Sequence, residues 1–174
     1  MPKKTLEEWE DIHAKFYKKY NRLGIWQKEN YRTVCETGEY SSFTGRRYVF
    51  HKQDGVYSKP AVCNYIVQGT ATGDIVPFAM MLIRKQIRDL ELDAKMICQV
   101  HDSVVLDVHK NSLDDVAEVV YNVFVGLRKT IKQYWGYDWI VPLTGCIEIG
   151  KNYKDLQEIY NKRGKIKPYA EIKF

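Results

Sequence analysis

The chain reads as an α+β fold in which several helices pack around a small antiparallel sheet. Three observations predict it. Apolar residues recur at helical spacing in several long stretches, from Leu6, from Ile25, from Pro60 and from Leu113. Two apolar runs, Met96–Val100 and Val104–Val108, flank a polar turn, His101-Asp102, as two strands joined by a tight connection would. The 174 residues are 45% hydrophobic and 28% charged, which suffices for one domain with a real core and argues against global disorder.

The elements follow in order. Thr5 and Glu8 form a capping-box pattern, so the first helix starts there. Leu6, Trp9, Ile12, Phe16, Tyr17 and Tyr20 make its apolar face, and Lys15, Lys18, Lys19 and Arg22 a basic one. The basic face reads as solvated unless DNA lies alongside. Gly24 predicts a kink, a second helix runs from Ile25 to about Glu36, and Gly38 ends it. Glu39 to His51 reads as a hairpin or an irregular extended stretch centred on Thr44-Gly45-Arg46-Arg47, and Lys52 to Lys59 as a loop. A glycine beside two arginines can bring backbone and guanidinium groups to phosphates. From spacing alone a basic surface turn explains the segment better.

Pro60 to Leu90 is the longest helical stretch, interrupted by Gly69, Gly73 and Pro77; it is one helix or two with a bend near Pro77. Asn64 and Gln68 share a face there. Amide donors so placed suit the minor groove, where every base pair offers acceptors at purine N3 and pyrimidine O2. The plainer alternative is that both face water or cap backbone. The hairpin of about Lys95–His109 comes next, then a helix capped by Asn111 or Ser112 with the stripe Leu113, Val116, Val119, Val120, Val123, Phe124, Leu127 and Ile131. A turn at Trp135–Asp138, a strand over Ile140–Ile149, a turn at Gly150–Tyr153 and a short helix over Leu156–Tyr160 complete the expected core. The tail from residue 161 to 174 is basic and expected to be mobile. No linker long enough for a domain boundary interrupts residues 1–160.

The net charge of +5 suits an anionic partner without identifying one. The four cysteines, Cys35, Cys63, Cys98 and Cys146, form no CxxC pair, which points to reduced thiols rather than zinc and to a cytoplasmic protein. The start has no apolar signal core, and no apolar run approaches membrane-spanning length, so no membrane is expected.

Gln99-Val100-His101-Asp102 between two apolar strands resembles the third catalytic motif of family A DNA polymerases, the polymerase I type. Asn64-Tyr65-Ile66-Val67-Gln68-Gly69-Thr70-Ala71 resembles that family's helix before the catalytic hairpin. Thr44-Gly45-Arg46-Arg47 resembles its Gly-Arg-Arg segment, and Phe16-Tyr17-Lys18-Lys19-Tyr20 the helix before that. Glu148-Ile149-Gly150 resembles its closing palm strand. All occur in family order over about Leu6 to Leu156. The resemblance implies a palm-like C-terminal polymerase part of phage or split type, in the host cytoplasm if phage-encoded. It implies Asp102 as a metal-binding catalytic carboxylate and His101 beside the primer terminus. Asn64 and Gln68 would touch the duplex minor groove, and Arg46 and Arg47 would be DNA contacts or purely structural. The implied cofactor is a pair of Mg²⁺ ions, about 3.5–4 Å apart in such sites, and hard cations want oxygen ligands. The implied partners are primer-template DNA and deoxynucleoside triphosphates.

The departures shape the expectation as much. The family's second metal-bridging Asp, in an Asp-Tyr-Ser-like segment, has no counterpart here, nor does its triphosphate-binding fingers helix. Ser103 stands where the family usually has Glu, and Pro60 stands one turn before Asn64 where it usually has Arg. The expectation is therefore a chain inactive alone, completed by an N-terminal polymerase fragment, with apolar surface left for that fragment to cover. The alternatives are a non-catalytic DNA-binding or interaction module derived from a polymerase and, last, a hairpin whose Asp merely caps a turn.

Overall fold

The computed structural model describes residues 5–161 together with Gly164 and Lys165. It has the expected α+β character, with three small antiparallel sheets in place of one. The chain forms two compact units, residues 1–70 and 71–174. Their boundary falls within continuous helical chain and not in a linker, so composition does not mark it.

In the first unit, Thr5 caps α1 (Leu6–Lys19) as predicted: Glu8 N–H donates to Thr5 Oγ1 at 3.3 Å and Thr5 N–H to Glu8 Oε2 at 2.7 Å. The break before α2 (Asn21–Thr37) lies at Tyr20 (φ −112°, ψ 52°) and not at Gly24, where a kink was expected. Gly24 instead lies inside α2, where a Cβ would sit 3.0 Å from the Tyr17 ring; the glycine admits that ring from α1. Tyr17 also donates its hydroxyl to Gln27 Oε1 at 2.8 Å. Gly38, at φ +78°, ends α2. The hairpin of β1 (Glu39–Ser41) and β2 (Arg47–Val49) follows with Tyr40 opposite Tyr48. Ser58 caps α3 (Lys59–Gln68), so Pro60 falls in the first turn, where its missing N–H is not needed. Val34, Val62 and Ile66 form the core, with Trp26, Tyr31, Tyr40, Phe50 and Tyr57 packed on it.

A π-helical stretch, Gly69–Ile75, joins α3 to α4 (Val76–Asp89). The sequence offered one helix or a bend at Pro77; the chain resolves the conflict by widening the helix ahead of Pro77, which then sits in the first turn of α4. Contrary to the sequence reading, the run Lys59–Asp89 is long and apolar enough to cross a membrane by length and composition. Gly69, Gly73 and Pro77 disguised its continuity. Val62, Ile66, Ile75, Val76, Phe78, Ala79, Ile83 and Ile87 along it are buried.

The second unit holds α4, the hairpin of β3 (Ala94–Val100) and β4 (Ser103–Val108), α5 (Leu113–Trp135), and the sheet of β5 (Ile147–Ile149), β6 (Gln157–Asn161) and β7 (Gly164–Lys165). Phe78 of α4 meets Trp135 of α5 edge-on at 4.5 Å between ring centroids. The stripe predicted for α5 is largely buried: Val116, Val119, Val123, Leu127 and Ile131. Two expectations fail here. The strand over Ile140–Ile149 shrinks to β5, since Pro142 lacks an N–H for a ladder and Ile140 and Val141 point to solvent. The expected helix over Leu156–Tyr160 is instead β6, pairing Tyr160 with Ile147 and Gln157 with Ile149. Burial decides it: Ile159 and Tyr160 pack with Ala117, Tyr121 and Ile149, outweighing any preference of so short a run. Asn161, Gly164 and Lys165, assigned by sequence to the tail, belong to strands; the remainder of that expected tail lies outside the described residues.

Candidate functional site

The candidate residues fall into two sets, one in each unit. In the second unit they sit in the β3–β4 loop. Val100 pairs with Ser103, so His101 and Asp102 alone reverse the chain. So tight a reversal uses positive φ, and His101 supplies it at +54°. A non-glycine residue there costs about 1–3 kcal/mol and persists only if its surroundings impose it. Two side chains do so. Ser103 donates its hydroxyl to the Val100 carbonyl at 2.8 Å. Gln99 donates its amide to the His101 carbonyl, also at 2.8 Å. Asp102 is left at the tip with its side chain exposed, and His101 is exposed beside it.

That arrangement presents one hard oxygen ligand on a braced turn. Mg²⁺ requires near-octahedral oxygen coordination. Among the described residues no cluster of three or more His, Cys, Asp or Glu side chains is arranged to hold a metal ion. The described residues therefore do not fit a Mg²⁺ pair by themselves, and Asp102 is at most one member of a ligand set.

In the first unit, α3 carries Asn64 and Gln68 exposed on one side, while Val62 and Ile66 are buried. The helical spacing that suggested a shared face therefore holds. Beside Asn64, burial pushes the Cys63 thiol above its ordinary pKa, with Lys59 opposing. Gly69, directly after Gln68, lies against the Tyr48 ring so closely that a Cβ would come within 2.7 Å of it. Arg47 forms a cross-strand ion pair with Glu39, its Nε 2.9 Å from Oε2 and its Nη2 on the same oxygen. Arg46 is exposed in the connection after Gly45 (φ +85°), where its carbonyl accepts from Ser42 N–H at 2.9 Å. The geometry thus gives Arg47 a structural partner within its own hairpin.

Sequence reasoning gave Gln99 and Ser103 no part in the site. Ser103 was noted only as a lost carboxylate, yet it closes the turn. Gln99 lay in plain sight among apolar residues, and a polar side chain in an otherwise apolar strand is the signal that could have found it.

Comparison with known proteins places these features in one family. The model of DNA polymerase family A matches residues 3–155. A DNA polymerase of Bacillus phage SP01 is 25% identical over 158 residues, covering 87% of this chain and 17% of the phage protein. DNA polymerase I of Aquifex aeolicus is 28% identical over 119 residues, 67% of this chain and 19% of that protein. The thermostable DNA polymerase I of Thermus aquaticus is 26% identical over 158 residues, 87% of this chain and 18% of that protein. The chain thus spans less than a fifth of the length of each of these relatives. Among solved structures, the POL domain of Pol1 from M. smegmatis, in complex with DNA primer-template and dNTP, shares the fold. Its TM-score is 0.64 at 20% identity, covering 71% of this chain and 23% of that one.

Proposed function

This chain belongs to DNA polymerase family A, and from that membership we propose that it is the C-terminal, palm-like part of a DNA-directed DNA polymerase. The reaction class is nucleotidyl transfer: deoxynucleotides are added to the 3′ end of a primer paired to a template. Two Mg²⁺ ions, the implied cofactor, supply charge stabilisation when bound. Asp102 would contribute one carboxylate to holding them. The second metal-bridging Asp and the triphosphate-binding fingers helix come from a complementary N-terminal polymerase part, on the same polypeptide or another, and these residues alone are inactive.

The observation that carries the reading is the presentation of Asp102. A carboxylate on an exposed, braced two-residue loop is held in place and remains open to solvent. The flanks support a missing neighbour. Ile97 and Val100 on β3 are 59% and 51% exposed, and the two-stranded sheet has no third strand among the described residues. A complementary palm strand would cover such a surface. In α1, Leu6, Phe16 and Tyr20 are exposed and no residue is buried. Asn64 and Gln68 present amide donors suited to the minor-groove acceptors of the duplex, His101 would lie next to the primer end, and Arg46 and Arg47 are the candidate phosphate contacts.

Primer extension tests this, using the chain alone and with a polymerase part carrying the fingers helix and the second Asp. We expect no extension by the chain alone, extension by the pair, and loss of at least about 100-fold with Asp102→Ala. Extension unchanged by Asp102→Ala would overturn the catalytic reading and leave a DNA-binding module.

A further inference from the structure

The β3–β4 hairpin and the π-helical stretch each contain an irregularity, and one side chain joins them. In β3, Met96 pairs with Leu106 and Cys98 with Val105, so Ile97 is an extra residue, a β-bulge. A bulge shifts the phase of every side chain beyond it. Ala94 and Met96 are half-buried while Lys95 and Ile97 are exposed; after the bulge Cys98 and Val100 are exposed and Gln99 is half-buried. In an unbroken strand Gln99 would share the outward face of Lys95 and Ile97. The bulge turns it inward.

The inward side holds the π-helical carbonyls. In π-helical bonding a carbonyl looks five residues ahead for its N–H. Gln99 Nε2 lies 2.8 Å from the Thr72 carbonyl and 2.8 Å from the His101 carbonyl. A primary amide has two N–H groups, and each of these carbonyls takes one.

We propose that Gln99 is the positioning residue of this site. Its amide clamps the left-handed His101 turn to the π-helical segment and thereby sets where the Asp102 carboxylate stands. The bulge at Ile97 exists to aim it. Gln99 touches no reacting atom; its effect passes through His101. The consequence for catalysis rests on the polymerase reading above, while the clamp itself does not.

The test uses the full chain, isotopically labelled, as the parent and as Gln99→Leu and Gln99→Glu. The leucine keeps much of the volume and donates nothing. The carboxylate of Q99E is isosteric and at neutral pH repels both carbonyls, while its protonated form regains one donor. We expect both variants to shift the backbone amide signals of residues 101–103 and 72–73 and to speed hydrogen exchange in the turn, with α5 unchanged. In Q99E the shift reverses in part as pH falls through the carboxyl range, near about 4–5. A residue that only fills space would show no such reversal. Turn signals unmoved by Q99L, or a Q99E pattern independent of pH, would overturn the clamp. In the completed polymerase, Q99L is expected to lower kcat about 10- to 100-fold with KM for nucleotide nearly unchanged. A disturbed turn with unchanged kcat would overturn the positioning role. Activity surviving Asp102→Ala would overturn the polymerase reading and leave the clamp standing.

Discussion

Gly69 offers a test in which two ordinary effects oppose each other. Its backbone is right-handed helical (φ −60°, ψ −41°), so alanine fits the backbone there. On helix propensity alone Gly69→Ala should stabilise by up to about 1 kcal/mol. The Tyr48 ring forbids it. A Cβ at residue 69 would lie 2.7 Å from Tyr48 Cε1 and 2.8 Å from Cζ and the hydroxyl oxygen. Carbon atoms pack at about 3.5–4.0 Å, so the ring must retreat by roughly 1 Å. Tyr48 is paired with Tyr40 in the middle of β2, so its backbone is held while its ring must give way. Overpacking of this kind costs about 1–3 kcal/mol. The net expectation is a loss of about 1 kcal/mol, read as a lower urea midpoint by circular dichroism. The decisive comparison is the same substitution in a Tyr48→Ala background. With the ring gone, propensity alone remains, and Gly69→Ala should stabilise by about 0.5–1 kcal/mol. The coupling between the two sites is then about 1–3 kcal/mol. Gly69→Ala stabilising equally in both backgrounds would refute the close approach.

Two further outcomes follow from individual side chains. Arg47→Ala should lower stability by about 0.5 kcal/mol, a loss that shrinks in 1 M salt, because its ion pair with Glu39 is largely solvent-facing; thermal melts at two salt concentrations read it. Cys63 should be alkylated by iodoacetamide more slowly than exposed Cys35 or Cys98 at pH 8, since burial raises its pKa and thins its thiolate. The raised value also fixes a sign: above the thiol's unfolded pKa the unfolded chain loses the proton first, so this group's contribution to stability falls as pH rises.

The parts of the fold legible in the sequence were those where one strong local signal had no rival. The Thr5 box, the αL glycine at residue 38 and the apolar stripe of α5 behave as their chemistry dictates. Errors arose where a weak signal met tertiary packing. Gly24 looks like a break and is a seat for the Tyr17 ring. Leu156–Tyr160 is too short to choose a structure, and the burial of Ile159 and its pairing partner β5 chose for it. Pro77 looks like a bend, yet the helix adjusts upstream of it, through a π segment that no periodicity announces.

The candidate site divides along the same line. The position of Asp102 in a tight turn between apolar strands was legible, because the apolar runs on either side of His101-Asp102 have no rival reading. The clamp beneath it was not legible, because it depends on phase. A one-residue bulge at Ile97 changes no composition and leaves the apolar pattern intact, but it reverses which face Gln99 occupies. The π segment does the same in the helix, shifting which carbonyl faces the hairpin. Each irregularity alone costs regular hydrogen bonding. Together they bring one amide against two carbonyls at 2.8 Å each. Removing the Gln99 amide should therefore release the turn that holds Asp102.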